Sequence, residues 1–130
     1  MKIKNKDYKF LYTVKASIEI AKKLPGHSIS QISEVFKKGD QIESMELISH
    51  MAVCMNEAYL RYEAYSNGTE FNPDDVLKKE DIEFLTMAEE QALENEIVQA
   101  YTNGNKTEIE TEEVKTKGKK GKKTKEPSEI

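Results

Sequence analysis

The longest uninterrupted helical pattern of hydrophobic positions runs from Asp40 to Tyr65. Neither proline nor glycine interrupts it; Asp40 is a good N-cap residue directly after Gly39, and Asn67-Gly68 is a turn signal beyond its end. At about 100° per residue, its apolar side chains fall within one arc of roughly 180°. The arc holds Met45, Leu47, Ile48, Met51, Ala52, Cys54, Met55, Ala58, Tyr59, Tyr62 and Tyr65.

This arc is wider than the stripe of roughly 100° that a surface helix normally buries. The helix is therefore either central in its own domain or shared between this chain and a partner. Methionine and tyrosine side chains suit both alternatives, because they fill an irregular core and also adapt to another protein surface. The pattern alone leaves both readings open.

The first twelve residues predict a short β-hairpin. Ile3 stands between lysines, and Tyr8, Phe10 and Tyr12 alternate with their neighbours, as in a strand with one apolar face. We expect the turn at Asn5-Lys6-Asp7. An isolated hairpin is marginal in water, so helices should cover its apolar face.

Two shorter helices are predicted between the hairpin and the long helix. The first begins after the N-cap residue Thr13 and ends at Pro25-Gly26; the second begins at Ser28, which forms a capping-box pattern with Gln31. The positions expected to face the core are Val14, Ile18, Ala21 and Leu24 in the first helix, and Ile29, Ile32, Val35 and Phe36 in the second.

The segment after the long helix predicts two further helices. Asn72-Pro73 is a strong helix start, with acidic residues in the first turn. We expect a short helix to about Lys79 and a longer one from Asp81 to Tyr101. Core positions would be Val76, Leu77, Ile82, Leu85, Ala92 and Leu93, whereas Phe84, Met87 and Val98 lie elsewhere on the helical wheel.

The predicted fold is therefore mainly α, with a short N-terminal β-hairpin followed by a small bundle of four to five helices in residues 1–101. Residues 102–130 form a Lys/Glu-rich tail that lacks a packing pattern, and we expect it to be disordered.

The charge differs between the two parts of the chain. Residues 1–101 contain 12 Lys and Arg against 18 Asp and Glu, a net charge of −6, while the net charge of residues 102–130 is +2. An acidic body with a single arginine argues against specific nucleic-acid binding.

Neither a membrane span nor a disulfide framework is predicted. No stretch approaches 18 apolar residues, the N-terminus lacks the apolar region of a signal peptide, and Cys54 is the single cysteine. We expect a cytoplasmic protein.

His50 and Cys54 have metal-ligand spacing, but the further ligands that a metal site needs are missing. As a catalytic Cys–His pair, they lack a third group to orient the histidine. No phosphate-binding glycine motif occurs. The sequence thus predicts no catalytic, metal-binding or cofactor-binding residues, and favours a non-enzymatic interaction protein.

Over about residues 1–95, the chain resembles the tail assembly chaperones of long-tailed phages and prophages of Gram-positive bacteria. Members of that family tend to open with a KI-x-x-K-x-Y-x-F hairpin, followed by a helix, a short Ser-Ile-containing helix, a helix with an aromatic run and a T/N-x-D-D-V helix start. The matching residues are Lys2-Ile3, Lys6, Tyr8 and Phe10; Ser28-Ile29; Tyr59 and Tyr62; and Asn72, Asp74, Asp75 and Val76.

The resemblance implies a protein that binds the tape measure protein, keeps that long helical chain soluble and helps the tail tube protein polymerise around it, in the host cytoplasm. It also implies a longer product made by programmed frameshift, for which the lysine-rich run 118–123 would suit A-rich codons. The partner-binding residues would be those of the wide arc: Met45, Ile48, Met51, Met55, Tyr59, Tyr62 and Tyr65.

One alternative of another class remains, a small acidic inhibitor or antitoxin-like module that masks a basic partner surface. A DNA-binding reading is disfavoured because Glu43, Glu46, Glu57 and Glu63 give the long helix the wrong charge for phosphate contacts. The oligomeric state stays open, a homo-oligomer included.

Overall fold

A computed structural model describes residues 1–105 of the chain. Two strands, β1 (Lys2–Ile3) and β2 (Lys6–Asp7), pair antiparallel, and within the described residues five α-helices follow. The helices are α1 (Val14–Ala21), α2 (Gln31–Lys38), α3 (Gln41–Asn67), α4 (Lys79–Glu83) and α5 (Met87–Gly104). The predicted fold class is confirmed. A disordered tail was predicted for residues 102–130. The first three of these residues, 102–104, belong to α5, so the prediction is wrong there. Residues from 106 onward lie outside the described part of the chain.

The central element is α3, against which α1, α2, α4 and α5 all pack. The Asp40 side chain accepts a hydrogen bond from the backbone N–H of Glu43 at 3.0 Å and so caps the first turn. Gly39 and Gly68 adopt the left-handed conformation that ends α2 and α3 respectively. Of the two readings of the wide arc, the structure places most of its residues in the core of this domain.

The hairpin turn is one residue earlier than predicted. Lys4 and Asn5 have positive φ angles of 54° and 66°, the two-residue turn whose twist suits a tight hairpin, whereas Lys6 and Asp7 belong to β2. Beyond the hairpin the chain stays extended along α3, where the backbone N–H of Leu11 donates to the carbonyl of Met55 at 3.0 Å.

Half of the core positions predicted for the first helix are confirmed, since Ala21 and Leu24 are buried. Thr13 caps it as expected, but Val14 and Ile18 are 78% and 50% exposed, while Ala16 and Ser17 are buried. These two small side chains let α1 approach α3 closely.

Helix α2 begins at Gln31 rather than at Ser28, and the predicted capping box does not form. The Ser28 hydroxyl instead shares a hydrogen bond with the Ser30 hydroxyl at 2.8 Å, and the preceding residues form a short 3₁₀ turn, Pro25–His27. Ile32 and Val35 are buried as predicted. Ile29 is exposed because it precedes the helix.

The last two helices also begin elsewhere than predicted. Pro73–Asp75 is a single 3₁₀ turn, and the long helix starts at Met87, not at Asp81. Its start is a capping box: Thr86 Oγ1 accepts from the backbone N–H of Glu89 at 3.2 Å, and the Glu89 carboxylate accepts from the backbone N–H of Thr86 at 2.9 Å. The Thr-x-x-Glu spacing was visible in the sequence and marks this boundary.

The far end of α5 lies against the extended N-terminal segment. The Tyr12 and Tyr101 rings meet edge to face with their centroids 4.8 Å apart. An ideal Cβ placed on Gly104 would lie 2.7 Å from the Cβ of Tyr12, so this close approach requires a glycine. Leu93 and Ile97 hold the middle of α5 in the core.

A buried polar side chain joins these parts. Asn56 is 1% exposed; its side-chain amide donates to the carbonyl of Lys9 at 2.9 Å and accepts from the backbone N–H of Leu77 at 2.7 Å. A single residue of α3 thereby satisfies backbone groups of two segments that have no helix or strand partners of their own there.

We predict that Asn56→Leu, which keeps a similar side-chain size, lowers the free energy of unfolding by about 1–3 kcal/mol, because the buried N–H of Leu77 loses its acceptor. Urea denaturation followed by circular dichroism measures the change. The control is Asn95→Leu at an exposed position of α5, which should have little effect. Equal stability of the two variants would contradict a structural role for the Asn56 amide.

Candidate functional site

The structure divides the seven predicted partner-binding residues of the arc. Ile48, Met51 and Met55 have no exposed surface, so they stabilise the fold and are not accessible to a partner in this conformation. Met45 and Tyr59 are partly exposed, and two tyrosines are more open still. The surface available for binding is therefore narrower than the arc, since the other helices of the same chain cover its middle.

The two open tyrosines form what we term the tyrosine end of α3. Tyr62 is 52% exposed and Tyr65 is 86% exposed. They follow the buried Ala58 by four and seven residues, so they continue the core-facing side of α3. The apolar face of α3 thus extends beyond the region that the other helices of the chain cover.

A second apolar surface lies at the opposite end of α3. Phe36 of α2, Met45 of α3, and Met87 and Val98 of α5 line an open groove of about 530 Å³, which we term the methionine groove. Met87 is 60% exposed. Polar residues complete the lining: Gly39, Gln41, Ser44, Glu90, Gln91 and Glu94.

Sequence reasoning found only Met45 among the four apolar residues of this groove as a binding residue. Phe36 was assigned to the core side of its helix, and Met87 and Val98 were recognised only as apolar positions off the core-facing side of theirs. Apolar residues outside a helix's buried stripe were the signal that could have found the groove. These residues come together only because of the way α2 and α5 pack. The spacing of residues within one helix carries no information on that packing.

Glu90 is the unusual ionisable group of the groove. Its Oε2 is buried and has no hydrogen-bond donor within the described residues 1–105. Burial, together with the negative charge of Glu94 one turn further along α5, raises the pKa of the Glu90 carboxyl above its ordinary value. The folded protein thus holds this carboxylate in a less favourable environment than the unfolded chain does.

A second cavity, of about 460 Å³, lies beside His50, between α2, α3, the start of α4 and residues 23–25, which follow α1. Its lining includes two cations, Lys23 and Lys79, and two anions, Glu43 and Glu46, so its charges balance. The acids of the methionine groove have no such counterpart, because the described residues that line it include neither lysine nor arginine. This difference in charge distinguishes the two concave surfaces.

The His50–Cys54 pair lies between α1 and α3. His50 Nε2 lies 3.1 Å from the carbonyl oxygen of Glu19, and the Cys54 sulfur lies 3.7 Å from His50 Nδ1. Burial raises the pKa of the Cys54 thiol to about 11 and lowers the pKa of His50. An activated nucleophile needs the opposite shift in its thiol. Within residues 1–105, no three His, Cys, Asp or Glu side chains gather as a metal-binding cluster.

None of the described helices is long and apolar enough to cross a membrane. No protein-family model, curated protein or solved structure matches the chain.

We predict that Glu90→Gln stabilises the folded protein at neutral pH, by less than about 1 kcal/mol because solvent still screens part of the carboxylate. A carboxyl whose pKa is raised on folding contributes stability below its ordinary value of 4.5 and loses that contribution as pH rises through the raised value. The gain should therefore vanish well below pH 4.5. Thermal unfolding of both proteins across pH measures it.

The control for that measurement is Glu83→Gln, at an exposed position of α4 outside the groove. It should show no comparable pH-dependent gain. If Glu90→Gln were equal to or less stable than the original protein at neutral pH, the carboxylate would have a stabilising partner that the geometry does not show.

We predict that Cys54 reacts slowly with a thiol reagent in the native protein. A pKa of about 11 leaves a far smaller thiolate fraction at pH 8 than the ordinary value of 9.0, by roughly 100-fold. The reaction with Ellman's reagent, timed in buffer and again in urea, compares the folded and unfolded thiol. Equal rates would show that the thiol is not protected by the fold.

Proposed function

We propose that this chain is a non-enzymatic phage tail assembly chaperone. It binds helical segments of the tape measure protein in the host cytoplasm and promotes assembly of the tail tube protein around that chain. The observation that carries the proposal is the methionine groove, an open groove between helices in which four apolar side chains lie among polar ones. The resemblance over residues 1–95 supports the identity of the client.

The groove has the chemistry of a helix-in-groove binding surface. Such surfaces receive the apolar face of an amphipathic helix, whose anchoring side chains recur every three to four residues. Met45 and Met87 stand on different helices, so flexible, polarizable side chains line the groove from both sides. A chaperone that handles a long client with many similar but unequal helical segments needs this adaptability.

The tyrosine end of α3 offers a second contact. Tyrosine provides a large apolar ring with a polar tip, and it is enriched in protein interfaces for that reason. Because Tyr62 and Tyr65 lie at the other end of α3 from Met45, two separate segments of a long client can be held at once. The helix between residues 45 and 65 spans roughly 30 Å.

The negative charge of the body suits the same role. Residues 1–101 carry −6, so loaded copies repel one another and stay dispersed. An apolar client segment covered by this domain would present an acidic surface to its surroundings in place of its own hydrophobic face. This keeps the client soluble without any chemical step.

We predict that Met87→Asp combined with Val98→Asp lowers binding of the tape measure protein by at least about tenfold, because each carboxylate must lose water inside the interface. Met87 is the first residue of α5, where an acidic side chain is compatible with the helix. The full chain is co-expressed with the tape measure protein, and the soluble, co-purifying client is quantified.

The control is Phe84→Asp, which changes an exposed apolar residue outside the groove. It should bind the client normally. A third variant, Tyr62→Asp with Tyr65→Asp, measures the contribution of the tyrosine end. Tyr59 is left unchanged because it is half-buried and its replacement would disturb the fold. Circular dichroism verifies that each variant is folded.

Normal client binding by the Met87/Val98 variant would exclude the groove as the binding site. Failure of the original protein to retain or solubilise the tape measure protein would overturn the function itself.

A second candidate, an acidic inhibitor that masks a basic surface, is favoured by the net charge of −6 in residues 1–101. It predicts tight binding to a basic protein that weakens steeply with salt and is unaffected by the apolar substitutions. The same co-purification at two salt concentrations separates it from the chaperone function.

A further inference from the structure

The methionine groove combines apolar walls with negative charge that has no counter-ion. Its described lining contains four large apolar side chains and two charged ones, Glu90 and Glu94. Some other acids of the domain have cationic partners, such as Glu57 with Arg61 at 2.8 Å and Glu19 with Lys22 at 3.2 Å, whereas several exposed acids have none among the described residues and are hydrated instead. Within residues 1–105, no cation lies within 4.0 Å of either groove carboxylate.

The Glu90 carboxylate is the more constrained of the two. Its Oε2 is out of contact with solvent and meets no donor in the described part of the chain. A buried carboxylate oxygen without a hydrogen bond is unfavourable, and because Glu90 as a whole is only partly buried, a cation on the exposed side of its carboxylate would offset part of that penalty. The neighbouring Glu89 differs, because its carboxylate accepts a hydrogen bond from the backbone N–H of Thr86.

The spacing of these residues fits a docked helix. Glu90, Glu94 and Val98 follow one another at intervals of four residues, which makes them one ridge along α5. Each interval advances about 6 Å along the helix axis. A second helix laid beside this ridge presents its own side chains at the same intervals, so one cationic side chain can reach both carboxylates while its neighbours meet the methionines.

We propose that the methionine groove binds an amphipathic helix that carries a lysine or arginine between apolar residues of its buried face. The cation pairs with Glu90 and Glu94, and the flanking apolar residues contact Met45, Met87 and Phe36. The inference rests on the proposed function and names the class of segment that the groove selects from its client. Helices with an acidic residue at the same position are rejected by like charge.

The test uses three synthetic helical peptides of equal length with identical apolar positions, which differ only at the central position of the apolar face: lysine, glutamine or glutamate. Binding of each fluorescently labelled peptide to the full-length chain is measured by anisotropy at constant ionic strength. We expect the lysine peptide to bind at least about tenfold more tightly than the glutamine peptide, and the glutamate peptide to bind more weakly than both.

Two double variants locate the effect. Glu90→Gln with Glu94→Gln should lower the affinity for the lysine peptide to that for the glutamine peptide, and leave the latter unchanged. The control, Glu80→Gln with Glu83→Gln, removes the same net charge from exposed positions outside the groove and should preserve the preference for lysine. Because both replacements in each variant are isosteric, the fold should be retained, which circular dichroism checks.

Three results would overturn the inference: equal binding of the lysine and glutamine peptides, an equal loss in both double variants, or sedimentation showing that the groove is already occupied by a second copy of the chain. The peptides require no tape measure protein. A lysine preference without tape measure binding therefore refutes only the client, whereas tape measure binding without a lysine preference refutes only the charge rule.

Discussion

The two hydrogen bonds of the Asn56 side chain fix how the rest of the chain surrounds α3. One holds the extended segment that follows the hairpin, and the other holds Leu77, from which the chain turns into α4. These segments lie 47 and 21 residues away in sequence, on either side of α3. Because α5 follows α4 after a short connection, the register set at Leu77 also decides where α5 lies. The methionine groove between α3 and α5 is a consequence of that placement.

Asn56 also shows where sequence reasoning reaches its limit. The helical wheel identifies an apolar arc, and an asparagine among apolar positions would normally be assigned to solvent. The wheel contains no information on which distant backbone groups lack partners. Caps behave differently, since their donors and acceptors lie within three residues. Thr13, Asp40 and Gly39 were therefore predictable, and Thr86 was equally visible in its Thr-x-x-Glu spacing, although the similar spacing of Ser28 and Gln31 forms no cap because α2 begins later.

The same distinction explains the candidate site. Leu77, Ile82 and Leu93 were predicted in the core and are buried, because apolar side chains on the main face of a helix leave water in almost any packing. The length and position of the neighbouring helices decide which apolar side chains stay exposed to solvent. Val14 was expected inside and lies outside, since α1 packs by the side that carries Ala16, Ser17 and Ile20. The proposed binding surfaces consist of the apolar residues left exposed after packing, so they follow from tertiary structure and not from periodicity.

An unpaired acid among the apolar side chains of the methionine groove is unfavourable for stability, and this supports the proposed binding of a cationic segment there. Replacing Glu90 by an uncharged residue would remove the penalty of its buried oxygen, so stability alone does not explain the carboxylate there. A partner cation would compensate that penalty only in the complex. The penalty that Glu90 imposes on the isolated domain would then add to the difference in binding free energy between a segment that carries the cation and one that lacks it. Selectivity among similar apolar helices, which methionines alone cannot provide, would come from this charge.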